Sequence, residues 1–242
     1  MRNDRRWAWV CGGVVVGWWG MMTGVLASGE GAAEGAGEAG KREYVLVTAA
    51  QWGSKPATMP ASANHEPRFI TIHHAGEEWK LTDDPVRKLR GLQRYGQTQK
   101  NWPDLPYQFL IAPDGVVYEG RPVVYKPETN TKYDTTGHVG IMLWGNFGVQ
   151  RVSEAQLRSA VYLTADMCRK LGISSATIGG HMDRAETACP GKDLYRYIQS
   201  GQFRGWVDDV LAGRVPAIEL LPEEAGGPTT FIAGGATTQK LG

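Results

Sequence analysis

Two histidines and one cysteine have side chains that bind metal ions and stand at places where a fold could bring them together. His73 ends an apolar run, His181 follows the pair Gly179 and Gly180, and Cys189 comes directly before a proline. Imidazole nitrogens and a thiolate sulfur are accepted zinc ligands, and a catalytic zinc site has three protein ligands and one open position. The residue types therefore suit a catalytic metal site, although the spacing alone also allows ordinary core or surface residues.

The elements that must position these side chains are short strands. Apolar and β-favouring residues predict strands over residues 69–73, 107–112, 116–119 and 139–143. The turn Pro113-Asp114-Gly115 is expected to join the middle two as a hairpin, because glycine adopts the positive φ that a tight reversal needs. His73 would then lie at a strand end, and His74 would face the other side of the sheet.

Two helices complete the predicted fold. Apolar residues recur at three- and four-residue steps after Ser153, with a capping box of Ser153 and Gln156 at the start and Gly172 as the stop. An earlier helix is expected to follow Thr82 or Asp83, with Pro85 in its first turn, and to end near residue 96. Strands that alternate with helices predict an α/β fold, a single domain with a central mixed β-sheet flanked by helices.

The N-terminus reads as an export signal. Arg2, Arg5 and Arg6 precede a charge-free run over residues 7–28 that ends in small residues, which is typical of a cleaved signal peptide over residues 1–28. Cleavage would send the protein to the periplasm or the extracellular space, without stable membrane association. The run is also long enough to cross a bilayer, so an uncleaved anchor is the alternative.

The remaining boundaries follow from composition. Residues 29–41 are nearly all Gly, Ala and Glu and are expected to form a linker, residues 42–214 the folded domain, and residues 215–242 a flexible C-terminal tail. The formal net charge of +1 offers no basic surplus for binding nucleic acid, which we exclude as a partner. The oligomeric state is left open by these patterns.

Four segments resemble motifs of the zinc amidase and peptidoglycan recognition protein family. In chain order they are FITIHHAG (69–76), DLPYQFLIAPDGVVYEGR (104–121), GIMLWGNF (140–147) and GHMDRAETACPGKDLY (180–195). The four segments follow one another in the same order as the family's motifs, and the resemblance covers roughly residues 42–212. The resemblance implies an exported enzyme that hydrolyses the amide bond between N-acetylmuramic acid and L-alanine in peptidoglycan with Zn²⁺. The alternative is a recognition module that binds peptidoglycan without cutting it.

The same resemblance implies roles for individual residues. His73, His181 and Cys189 would hold the zinc ion, and Tyr107 would lie beside the attacking water. Thr187 matches a position that is lysine in phage lysozyme-type amidases and often threonine or serine in active recognition proteins. A hydroxyl there can donate a hydrogen bond to the developing oxyanion. Non-catalytic relatives typically lose a zinc ligand, most tellingly the cysteine.

Two departures from the family pattern limit this transfer. Met142 stands where another branch has a glutamate that transfers protons, so no carboxylate is obvious as general base, and the animal-type disulfide is missing. The candidate substrate-binding residues are His74, Trp79, Arg121 and Asn146, each of which equally suits a structural role. Asp183 suits either a hydrogen bond to a ligand imidazole or a turn cap.

Overall fold

The computed structural model of the chain describes residues 43–232. The predicted signal peptide and linker lie outside the described residues, as do residues 233–242. The strands are β1 (Leu46–Val47), β2 (Phe69–His74), β3 (Phe109–Ile111), β4 (Val117–Glu119), β5 (His138–Leu143), β6 (Gln150–Arg151), β7 (Ile178–Gly180) and β8 (Thr230–Phe231). The helices are α1 (Ala49–Trp52), α2 (Pro85–Gln99), α3 (Glu154–Leu171), α4 (Lys192–Gln199) and α5 (Gln202–Leu211).

Six strands form one mixed sheet in the order β1-β4-β3-β5-β2-β7. β2 is parallel to both β5 and β7, whereas β3 and β4 form the predicted antiparallel hairpin. Gly115 in the hairpin turn has φ +85°, and a Cβ there would lie 2.8 Å from the Ala155 carbonyl oxygen, so the turn needs glycine. The predicted mixed α/β fold is confirmed.

Side chains alternate between the two faces of this sheet and build two apolar clusters. Ile70, Ile72 and Ile141 belong to the cluster that also contains residues of α3 and α5. Leu110 and Met142 project to the other face, into a cluster that includes Leu89 of α2. The sheet is therefore covered by helices on both sides, as the sequence predicts.

The helix after Ser153 has the predicted ends. Ser153 Oγ accepts a hydrogen bond from the Gln156 amide at 3.0 Å, and Gly172 closes the helix with φ +67°. α2 runs past its predicted end near Gly96 to Gln99. A Cβ at Gly96 would lie 3.3 Å from the Trp102 ring, so this glycine permits close packing within the helix and is not its stop.

Residues 215–232 pack on the domain, and the prediction of a flexible tail is wrong for them. Ile218 and Ile232 are 6% and 3% exposed, and β8 pairs with β6. The Leu221 amide donates to Tyr197 Oη at 2.9 Å, and Arg151 donates to the Leu221 carbonyl. The proline and glycine content predicted a segment without fixed structure, but widely spaced aliphatic residues pack it against the domain. We call residues 215–232 the C-terminal strap.

No helix in the range 43–232 is long and apolar enough to cross a membrane.

Candidate metal centre

Two adjacent parallel strands bring His73 and His181 together. His73 lies near the end of β2, and His181 follows β7 directly, where it begins a short 3₁₀ turn. The register pairs Ile72 with Gly180, so the two histidines leave the same edge of the sheet. Their ring centroids are 4.6 Å apart, and both side chains are buried.

Cys189 completes the cluster from the loop before α4. Its Sγ lies 3.7 Å from His73 Nδ1, and it accepts a hydrogen bond from the His74 amide at 3.3 Å. One donor atom from each of His73, His181 and Cys189 falls within 4.8 Å of the other two. The structure thus brings together the three residues that the sequence singled out.

Burial sets the protonation of these three side chains. It lowers the pKa of His73 well below its ordinary value, and the neighbouring His181 adds to the effect. It also lowers the pKa of His181. The pKa of the Cys189 thiol rises to about 12 through burial, partly offset by the hydrogen bond from the His74 amide. Two neutral imidazoles and a thiol whose proton a cation displaces suit a zinc ion as ligands. Three protein ligands leave one coordination position open.

Tyr107 and Thr187 line the same cavity as the three donors. The Tyr107 ring centroid is 5.0 Å from that of His73. Burial, followed by the charge of Cys189, raises the pKa of Tyr107 far above its ordinary value, so its hydroxyl is a hydrogen-bond donor at neutral pH. Thr187 Oγ1 accepts from the Cys189 amide at 3.2 Å and keeps its own proton available to donate.

The ring of His181 is held by a residue that the sequence analysis missed. Thr131 Oγ1 lies 2.7 Å from His181 Nε2. Thr131 lies in the loop between β4 and β5, outside the quoted motifs, so only the folded chain reveals this contact. Asp183, by contrast, accepts from the Gly180 amide at 2.7 Å and from the Tyr195 hydroxyl. It therefore caps the turn, one of the two roles expected for it.

His74 lies on the opposite side of the strand from His73, as the strand geometry predicts. Its Nδ1 accepts from the Phe147 amide at 3.2 Å, and His74 is among the residues that line the cavity. Burial lowers the pKa of His74 to about 4, so the ring is neutral. Substrate contact by His74 stays a prediction.

The other three candidates for substrate binding are not among the described residues that line the cavity. Arg121 is a correction: its side chain is 0% exposed, and it donates to backbone carbonyl oxygens of its own domain. Trp79 packs against Trp144 with ring centroids 6.1 Å apart, and Asn146 Oδ1 accepts from the Gly148 amide at 3.1 Å. Neither Trp79 nor Asn146 is among the described residues that line the cavities at the centre.

The cavity at the centre opens into a larger groove. A space of about 200 Å³ surrounds the donor atoms, and a space of about 550 Å³ lies beside it. The two share the residues Ala75, Trp102, Pro106, Tyr107 and Asn130. The groove can therefore receive an elongated molecule with one end at the metal-binding residues.

The comparison with known proteins assigns the family. The family model described as N-acetylmuramoyl-L-alanine amidase, Amidase_2, matches residues 63–192. This chain belongs to the amidase-2 family. The matched range holds all three donors of the centre, together with Tyr107 and Thr187.

Relatives of the amidase-2 chain include animal peptidoglycan recognition proteins. Peptidoglycan recognition protein 1 of Mus musculus is 32% identical over 163 residues, covering 64% of this chain and 86% of the relative. The solved structure of Drosophila peptidoglycan recognition protein SA is 30% identical with a TM-score of 0.57, covering 64% and 91%. A structure of tracheal cytotoxin bound to the ectodomain complex of recognition proteins LCa and LCx is 27% identical with a TM-score of 0.57, covering 64% and 95%.

Proposed function

We propose that this chain is a zinc-dependent N-acetylmuramoyl-L-alanine amidase, which hydrolyses the bond between the lactyl group of muramic acid and L-alanine in peptidoglycan. The observation that carries the proposal is the convergence of His73, His181 and Cys189 within 4.8 Å, in a cavity that Tyr107 and Thr187 also line. Family membership supports it, and the related structure of recognition proteins LCa and LCx with bound tracheal cytotoxin supports substrate binding in the groove.

In this proposal the three donors hold the zinc ion, which when bound polarises the scissile carbonyl and acidifies water. Tyr107 and Thr187 donate hydrogen bonds to the carbonyl oxygen as negative charge develops on it. One well-placed donor of this kind is worth about 3–4 kcal/mol. The groove beside the centre takes the stem peptide, which orients the amide for attack.

The test is release of stem peptides from purified sacculi and from a defined muramoyl peptide, followed by mass spectrometry. We expect activity that is lost on zinc removal and restored by zinc. Cys189→Ala should abolish release, whereas Cys168→Ala is the matched control, because Cys168 is a buried thiol on α3. Tyr107→Phe should lower turnover while zinc stays bound. Binding of sacculi without release by the zinc-loaded protein would contradict the proposal and indicate the recognition module.

We also propose export through residues 1–28, with residues 29–41 as a linker. The arginine-led apolar run supports this, and so does the family's action on an extracytoplasmic polymer. N-terminal sequencing of the protein from the culture medium or periplasm tests it. A mature N-terminus near residue 28 is expected, and an intact run over residues 7–28 would indicate the anchor instead.

A further inference from the structure

The proposed hydrolysis needs a group that moves a proton from the attacking water to the leaving amine. Met142 on β5 offers no such group, and Tyr107 keeps its proton at neutral pH. His73 and His181 are assigned to the metal. Apart from these residues and Cys189, two titratable side chains remain among the described residues that line the cavity: His74, whose Nδ1 already accepts from the Phe147 amide, and Glu128.

Glu128 is the one carboxylate among the described residues that line the 200 Å³ cavity. It lies in the loop between β4 and β5, outside the motifs quoted above. Its amide donates to the Pro106 carbonyl at 3.1 Å, which fixes its backbone next to Tyr107. Its side chain is 29% exposed, so water can reach it.

The buried guanidinium of Arg121 holds the Glu128 carboxylate in place. Arg121 Nη1 lies 3.3 Å from Glu128 Oε1. The guanidinium itself donates to the backbone carbonyl oxygens of Leu105 at 2.8 Å, Asp104 at 3.2 Å and Lys126 at 2.6 Å. Because the Arg121 side chain is buried and makes these three bonds, its guanidinium is a fixed partner for the Glu128 carboxylate. Within residues 43–232 no hydrogen bond engages Glu128 Oε2.

We infer that Glu128 is the general base and general acid of the proposed hydrolysis, an inference that rests on the proposed function. Glu128 Oε2 takes one proton from the attacking water as the water oxygen bonds to the lactyl carbonyl carbon. The carbon–nitrogen bond then breaks, and the same proton passes from Glu128 to the alanine nitrogen. The products are a lactyl carboxylic acid and a free amine, and Glu128 returns to the carboxylate.

Two substitutions separate this role from a structural one. Glu128→Gln keeps an oxygen that can accept from Arg121 but cannot take up the proton, whereas Glu128→Ala removes both functions. Proton transfer by one positioned side chain contributes about 10²- to 10⁴-fold. We expect both variants to lose kcat by about that factor, with KM for a muramoyl peptide changed by less than about threefold.

Further measurements on the zinc-loaded protein control for indirect effects. Zinc content, the unfolding midpoint and calorimetric binding of the product peptide should match the wild type in Glu128→Gln. Glu154→Gln is the matched control, because Glu154 also pairs with an arginine, Arg158 at 3.8 Å, but lies on the surface of α3. Its kcat should be unchanged.

The outcomes are distinct. If wild-type protein releases no peptide, the proposed function fails before the role of Glu128 is tested. If the wild type is active and Glu128→Gln is equally active, with or without a defect in Glu128→Ala, the carboxylate only supports Arg121 and the inference is wrong. Loss of zinc or of product binding in Glu128→Gln would also overturn it, since the defect would then lie in the site and not in proton transfer.

Discussion

The burial of Ile232 in the C-terminal strap predicts a measurable contribution to stability. Ile232 is 3% exposed, and its Cδ1 lies 2.6 Å from the position that a Cβ on Gly145 would occupy. Ile232→Ala removes three buried carbons, each worth about 0.8 kcal/mol on transfer from water, or about 2.4 kcal/mol together. The cavity left behind raises the loss into a range of roughly 2–5 kcal/mol.

Urea unfolding followed by tryptophan fluorescence measures this loss. Val215→Ala is the control from the same strap, because Val215 is 83% exposed and its truncation should change the free energy of unfolding by less than about 0.5 kcal/mol. A midpoint for Ile232→Ala that equals that of Val215→Ala, with unchanged urea dependence, would show that the strap is not fastened in solution. The packing argument for residues 215–232 would then be refuted.

Three further predictions concern the centre and its supports. Zinc binding at pH 7 should release about one proton, because the Cys189 thiol is protonated and both imidazoles are already neutral. Calorimetry in two buffers of different ionisation enthalpy measures the number of protons released. Binding without proton release would contradict this prediction. Gly191→Ala should destabilise the fold by more than about 1 kcal/mol, since φ is +88° and a Cβ would lie 2.5 Å from the Phe147 carbonyl carbon; wild-type stability in urea would refute that clash. Ser153→Ala should cost about 1 kcal/mol through loss of the cap on the Gln156 amide, and an unchanged thermal midpoint would argue against the cap.

Four strands and two helices were predictable because local patterns determine them, whereas β7, α4 and α5 were not predicted. The cap at Ser153, the stop at Gly172 and the hairpin turn at Gly115 each follow from one residue and its neighbours in sequence. The end of α2 was missed because Gly96 serves a contact with Trp102, which no local pattern reveals. The strap was missed for a similar reason, since its aliphatic residues are separated by polar and turn-forming ones.

The site residues likewise divide into those that sequence motifs predict and those that only the folded chain reveals. The three donors and Tyr107 stand in motifs whose order along the chain is informative. Thr131 and Glu128 come from the loop between β4 and β5, whose sequence carries no periodicity, and only tertiary packing brings them to the centre. Arg121 shows the converse, because it stands in a quoted motif yet is buried and binds its own backbone.

The strand that precedes His181 has one neighbour, whereas the strand that carries His73 has two. Segments at a sheet edge open more readily than central ones, and local openings need less free energy than global unfolding. We therefore expect amide exchange at residues 178–180 to be faster than at residues 70–72. If the centre holds the proposed zinc ion, mild denaturant would release it while most of the fold persists, so loss of metal would precede global unfolding.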